Sequence, residues 1–147
     1  MAAGDITWFN EARALDYFAG WATTDDIRVA VLNNTTDPTA ASTTPALGDF
    51  TEVGTAGTYV AGGESLGNWT TVWSENAGTG TMDSTTNPTW ALDGSNDTDA
   101  RWGIIYNATQ AGNPAMAFVD LGGSVDMSTG SLTITWHANG IAALTAP

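Results

Sequence analysis

Apolar residues recur at every second position through Ile27–Leu32, Arg101–Tyr106, Ala115–Leu121 and Ser131–Trp136, and at three- and four-residue steps only between residues 6 and 20. A period of two places alternate side chains on one face of a strand, so the chain is bound to be mostly sheet. In the first stretch Ile27, Val29 and Val31 share a face. Trp102, Ile104 and Tyr106 do so in the second, and Leu132, Ile134 and Trp136 in the last. The stripe Trp8, Ala12, Leu15, Ala19 and Ala22, flanked by Phe9 and Phe18, predicts one helix over residues 6–20, with Asp5 as N-cap and Gly20 as stop.

Between these elements the signals are shorter. Thr58–Val60, Trp69–Trp73 and Thr89–Leu92 read as strand pieces between Gly-rich turns, and Asn107–Pro114 as a hairpin connection containing Gly112 and Pro114. Residues 35–47 are rich in Thr, Ala, Ser and Pro without periodicity, and read as an exposed loop or arm, the best candidate for a segment that reaches a neighbour. The expected architecture is mainly β, with β-sandwich-like antiparallel sheets and one N-terminal helix. It forms a single domain over 1–147, with a β-rich body from residue 50 onward.

Charge narrows the function. The chain has 147 residues, no lysine, three arginines and sixteen acidic side chains, a formal net charge of −13. Binding to a phosphate backbone depends on Lys and Arg displacing counterions, so nucleic acid is not an expected partner. No run of eighteen apolar residues suggests a membrane span, and Met1-Ala2-Ala3-Gly4-Asp5 lacks the basic and apolar regions of a secretory signal, which points to synthesis in a cytoplasm. With no cysteine, stability must come from packing or assembly. Seven tryptophans, each able to bury roughly 150–250 Å², supply the anchors.

Residues that could carry chemistry are few. His137 is the one histidine, placed directly after the strand ending in Trp136, and no G-x-S-x-G elbow accompanies it. A carboxylate pair for glycoside hydrolysis needs a separation of roughly 5–9 Å. Sixteen acids falling largely in turns single out no such pair, so no catalytic residue is assigned and no cofactor is expected. Asp93-Gly94-Ser95-Asn96-Asp97-Thr98-Asp99 spaces oxygen ligands at alternate positions, making Asp93, Asp97 and Asp99 the weak candidates for a cation. The stretch departs from the EF-hand template at Thr98 and Ile104, and reads first as an acidic turn. Gly54-Thr55-Ala56-Gly57 and Gly78-Thr79-Gly80 lack the Lys-Ser/Thr of a phosphate loop. Trp69, Trp73 and Trp90, in the polar middle of the chain, are candidates for stacking on sugar rings.

Asp26-Ile27-Arg28-Val29-Ala30-Val31-Leu32, Ala100-Arg101-Trp102-Gly103-Ile104-Ile105-Tyr106-Asn107, and Ala117-Phe118-Val119-Asp120-Leu121-Gly122-Gly123 are followed by Ser131–Trp136 and then Gly140-Ile141. In this order they resemble small structural proteins encoded beside the capsid genes of tailed bacteriophages. The chain departs from that pattern at Arg28, where such proteins carry lysine, and at Ala142-Ala143, where they carry an aromatic residue. The resemblance implies a virion component without catalysis: a decoration or cement protein bound to the major capsid protein, as a homo-oligomer and commonly a trimer. A neck, tail or head-fibre component and a Trp-based glycan-binding module are the alternatives.

Overall fold

The computed structural model describes residues 4–10, 24–67, 69–74, 79–138 and 140–145, with the backbone alone in 69–74, 79–81 and 142–145. Ten strands form three antiparallel sheets among these residues: β1 (Ile6–Trp8), β2 (Ile27–Leu32), β3 (Glu64–Ser65), β4 (Trp69–Ser74), β5 (Thr79–Ser84), β6 (Thr89–Trp90), β7 (Ala100–Asn107), β8 (Ala115–Val125), β9 (Leu132–Thr133) and β10 (Ala142–Thr145). The largest sheet runs β1-β8-β7-β2-β3, a smaller one β10-β5-β4, and β6 pairs with β9. No helix among the described residues is long and apolar enough to cross a membrane.

β2 and β7 are buried on both faces, so their near-continuous apolar runs occupy the middle of the molecule. On one face, Phe118 of β8 meets Trp102 edge-on at 5.8 Å between ring centroids and Phe9 at 5.2 Å, and Phe9 stacks on Phe50 at 6.0 Å. On the other face, Gly103 lies opposite Val31 and Val119 in the ladder. A methyl group there would approach Val119 Cγ1 to 2.7 Å and Ile134 Cδ1 to 3.0 Å. The missing side chain therefore lets Ile134, just past β9, close onto the sheet.

Three expectations need correction. Ile6–Trp8 form β1, paired with Val119–Ala117 of β8, in place of the first helical turn. Backbone pairing to a long, otherwise open strand outweighs a helical stripe that begins with β-branched and aromatic residues. Asn10 is the one described residue of the predicted helix with helical backbone, and residues 11–20 of that helix lie outside the described residues. Thr58–Val60 is irregular backbone, because its Tyr59 turns inward to serve the edge of β2. Ser131–Trp136 shortens to the two residues of β9.

Segment 35–47 is a mostly exposed loop, bonded to the body at several points. Asp37 accepts the Trp102 indole N–H at 2.9 Å, and Ala40 accepts from the Asn10 amide at 2.8 Å. The Ala115 amide donates to Pro45 at 2.7 Å, and Leu47 donates to Asn113 at 3.1 Å.

Candidate functional site

The outer edge of β2 is closed by side chains and turns where a further strand would otherwise stand. Beyond the short β3, the Val31 amide donates to the Tyr59 hydroxyl at 3.1 Å, and Tyr59 in turn donates to Glu52 Oε2 at 2.6 Å. The same carboxylate oxygen accepts the Gly62 amide at 2.7 Å, while the Tyr106 hydroxyl donates to the Gly62 carbonyl at 2.7 Å. Burial pushes the Tyr59 phenol far above its usual range, and the Glu52 carboxylate adds to the effect, so Tyr59 stays a donor. Two phenols and a carboxylate thus hold a sheet edge shut, with their protons committed to neighbours.

The two described arginines are likewise spoken for. Arg28 Nε binds Asp26 Oδ2 at 2.7 Å, and Ser65 donates to the other oxygen of Asp26 at 2.6 Å. Arg101 pairs with the buried Asp120 through both guanidinium nitrogens and lies 4.0 Å over the Trp102 ring. Each described cation is therefore matched within the molecule, which leaves the exterior acidic.

Both carboxylates titrate below their ordinary range. Burial pushes Asp26 up, but the bonds from Ser65 and Arg28 outweigh it. For Asp120 the Arg101 hydrogen bond dominates, supported by the Gly122 amide. A depressed folded-state pKa contributes stability that is complete above the unfolded value and is lost as pH falls through the folded one. The melting midpoint is expected to hold from pH 7 down to about pH 4 and to drop below it. Asp120→Asn should melt lower at pH 7 and show a shallower acid fall. Circular dichroism melts across pH check this, and an Asp120→Asn variant with the parent's acid slope would remove the pair from the account.

The acidic turn at 93–99 serves as a latch. Asn96, 5% exposed, accepts the Thr58 amide at 2.9 Å and donates from its amide nitrogen to the carbonyls of Ala91 at 3.0 Å and Met127 at 3.3 Å. Asp93 caps the Ser95 amide at 2.8 Å, and Asp97 Oδ2 accepts the Gly54 amide at 2.6 Å. Two of the three weak cation candidates, Asp93 and Asp97, thus hold backbone amides in separate turns. No group of three or more metal-ligating side chains occurs among the described residues, Asp99 included. Asn96 escaped the sequence reading, although Asp-Gly-Ser-Asn carries the signature of a side-chain-capped turn.

A cavity of about 230 Å³ opens between the β1–β8 margin and β9, walled by Ile6, Val119, Leu121, Leu132 and Ile134, with Asp120 among its lining residues. Its one acid is the partner of Arg101 and accepts the Gly122 amide at 2.7 Å. His137 is exposed in a turn where its carbonyl accepts the Gly140 amide at 2.9 Å. Trp90, 2% exposed, packs against Tyr59 and is closed to a sugar ring, whereas the side chains of Trp69 and Trp73 lie outside the described part of the structure. No protein-family model matches the chain, and neither a curated protein nor a solved structure matches it.

Proposed function

We propose that the chain is a non-enzymatic structural protein of a tailed-bacteriophage virion, a decoration or cement protein that binds the major capsid protein as a closed homo-oligomer, its antiparallel sheets packed sandwich-like into one domain. The observation that carries this reading is where the resembling stretches fall. Three of them occupy β2, β7 and β8, which are neighbours in one sheet and form its buried centre, and the fourth, Ser131–Trp136, carries β9 and Ile134, which closes onto that sheet. The likeness thus centres on a contiguous core, and the unmatched residues 33–95 supply loops, the edge strand β3 and the strands β4, β5 and β6 of the small sheets.

The loops support the same reading. A cement protein gains its energy from repeated weak contacts, each of which loses value if a flexible segment must first be ordered. Here the turns are held in place by Asp, Asn and Thr side chains, as at Asp93, Asp97, Asn96 and Asp126. A surface without lysine also has less side-chain entropy to lose on burial. A glycan-binding function loses one of its three tryptophans to the core.

The test is the copy number of this chain relative to the major capsid protein, by quantitative mass spectrometry of purified particles. Hundreds of copies are expected. A count near six or twelve would move the protein to the neck or tail, and absence from the particle would end the virion reading.

A further inference from the structure

The five-stranded sheet ends in strands of three and two residues, β1 and β3, too short to template another chain. The small sheet ends differently. β4 pairs with β5 along its whole six-residue length, from Trp69↔Ser84 to Ser74↔Thr79, and no strand adjoins its other side among the described residues. Its sequence, Trp69-Thr70-Thr71-Val72-Trp73-Ser74, contains no charge, proline or glycine, in a chain with sixteen acids. The strand itself carries none of the charges or prolines that usually guard an edge, and among the described residues no strand takes up its outer row of backbone donors and acceptors.

We propose that β4 joins two copies of this chain, pairing antiparallel with the β4 of the second copy about a two-fold axis at Thr71. The sequence is self-complementary in that register. With Thr71 opposite Thr71, Thr70 stands opposite Val72 and Trp69 opposite Trp73. Across Trp69–Trp73 each pair is then threonine with threonine, β-branched with β-branched, or aromatic with aromatic, the combinations that strengthen antiparallel ladders. An unrelated strand would have no use for this symmetry. The pairing is isologous and closes on itself, merging the two β10-β5-β4 sheets into one. A strand without carboxylates is also where two chains of charge −13 meet with least repulsion. The inference holds with or without a virion role. On a shell it favours two-fold over three-fold positions.

Sedimentation of the full chain at about 100 µM, where even a Kd of tens of micromolar leaves much dimer, should show a dimer. Thr71→Glu and Thr71→Lys each set like charges opposite one another at the axis, and each should weaken the dimer about tenfold with the parent's circular dichroism retained. An equimolar mixture of the two should dimerise again, because Glu then stands opposite Lys. A monomeric or trimeric parent, a Thr71→Glu chain as dimeric as the parent, or a mixture that stays monomeric would each overturn the proposal. Hydrogen exchange on the unmodified chain reads the same edge should either variant fail to fold. For a Kd of about 30 µM, amides of β4 should exchange about threefold more slowly at 100 µM than at 1 µM, and equal rates at the two concentrations would also overturn the proposal.

Discussion

Replacing Gly63 by alanine is expected to cost about 3–5 kcal/mol, from strain in a left-handed residue and from overpacking against a backbone that cannot yield. Gly63 has φ +64°, and a methyl group there would lie inside the van der Waals envelope of the Val29 carbonyl oxygen and 2.6 Å from Ala30 Cα. The neighbour is the centre of β2, a buried strand bonded to β7 on its far side, so there is no flexible side chain to move away. The Gly62–Gly63 turn is also where Glu52, Tyr106 and Arg28 converge on the edge of β2, and displacing it would loosen all three contacts. For a domain of this size the melting midpoint should fall by roughly 10 °C. Gly48→Ala is the control: no atom lies within 4 Å of the added carbon, and stability should change by no more than about 0.5 kcal/mol. If the two variants melt together in thermal or urea unfolding, the close approach of Gly63 to β2 is wrong.

Asn96→Ala should cost about 2–3 kcal/mol, because it strands the carbonyl of the buried Met127, worth roughly 1–3 kcal/mol without a partner, and removes the acceptor of the Thr58 amide, while the Ala91 carbonyl keeps the Thr58 hydroxyl. These three groups belong to separate segments, so the variant also unties the turn before β7 from the segment before Gly62. Gly57 shows how tightly the amide is seated: a methyl group at Gly57 would overlap Asn96 Oδ1 and lie 2.8 Å from the Asn96 nitrogen.

Asn96→Asp is the sharper test. It keeps the acceptor for Thr58 but turns a carboxylate oxygen toward two carbonyls, which raises the folded-state pKa of the new acid above its unfolded value. Stability then resides in the protonated form and is lost as pH rises through the raised pKa, opposite to the slope expected from Asp26 and Asp120. Urea unfolding at about pH 4 and pH 7 checks this. An Asn96→Asp chain equally stable at both would show that the amide nitrogen does not face those carbonyls.

The strands legible in the sequence were those with a strong pattern and a place in the core. Ile27–Leu32 and the hairpin from Arg101 through Leu121 appear as β2, β7 and β8, with Asn107–Pro114 as their connection. Their apolar runs report burial directly. Misreadings arose where tertiary contacts override a local pattern. Ile6–Trp8 carries a helical stripe yet pairs with β8, and Thr58–Val60 carries strand-forming residues yet is spent on the Tyr59 bond to Val31. β5 and β10 went unread, since Thr79–Ser84 and Ala142–Thr145 are too short and too polar or small to stand out before they are paired.

Alternation, charge and the absence of lysine and cysteine, all visible in the sequence, determined a mainly antiparallel β protein with an acidic exterior and a core that depends on packing. These are properties of residue type and period, and they hold whichever strands become neighbours. Only the tertiary structure decided which polar residues became structural. Asp93 and Asp97 hold backbone amides, Asn96 ties three segments together, and Asp120 neutralises Arg101. It also placed β4 at the end of its sheet, with no strand on its outer side among the described residues. A carboxylate or an amide reads the same in sequence whether it faces water, a cation or a peptide N–H. Its role is set by partners often thirty or more residues away, whose proximity exists only once the sheets have formed.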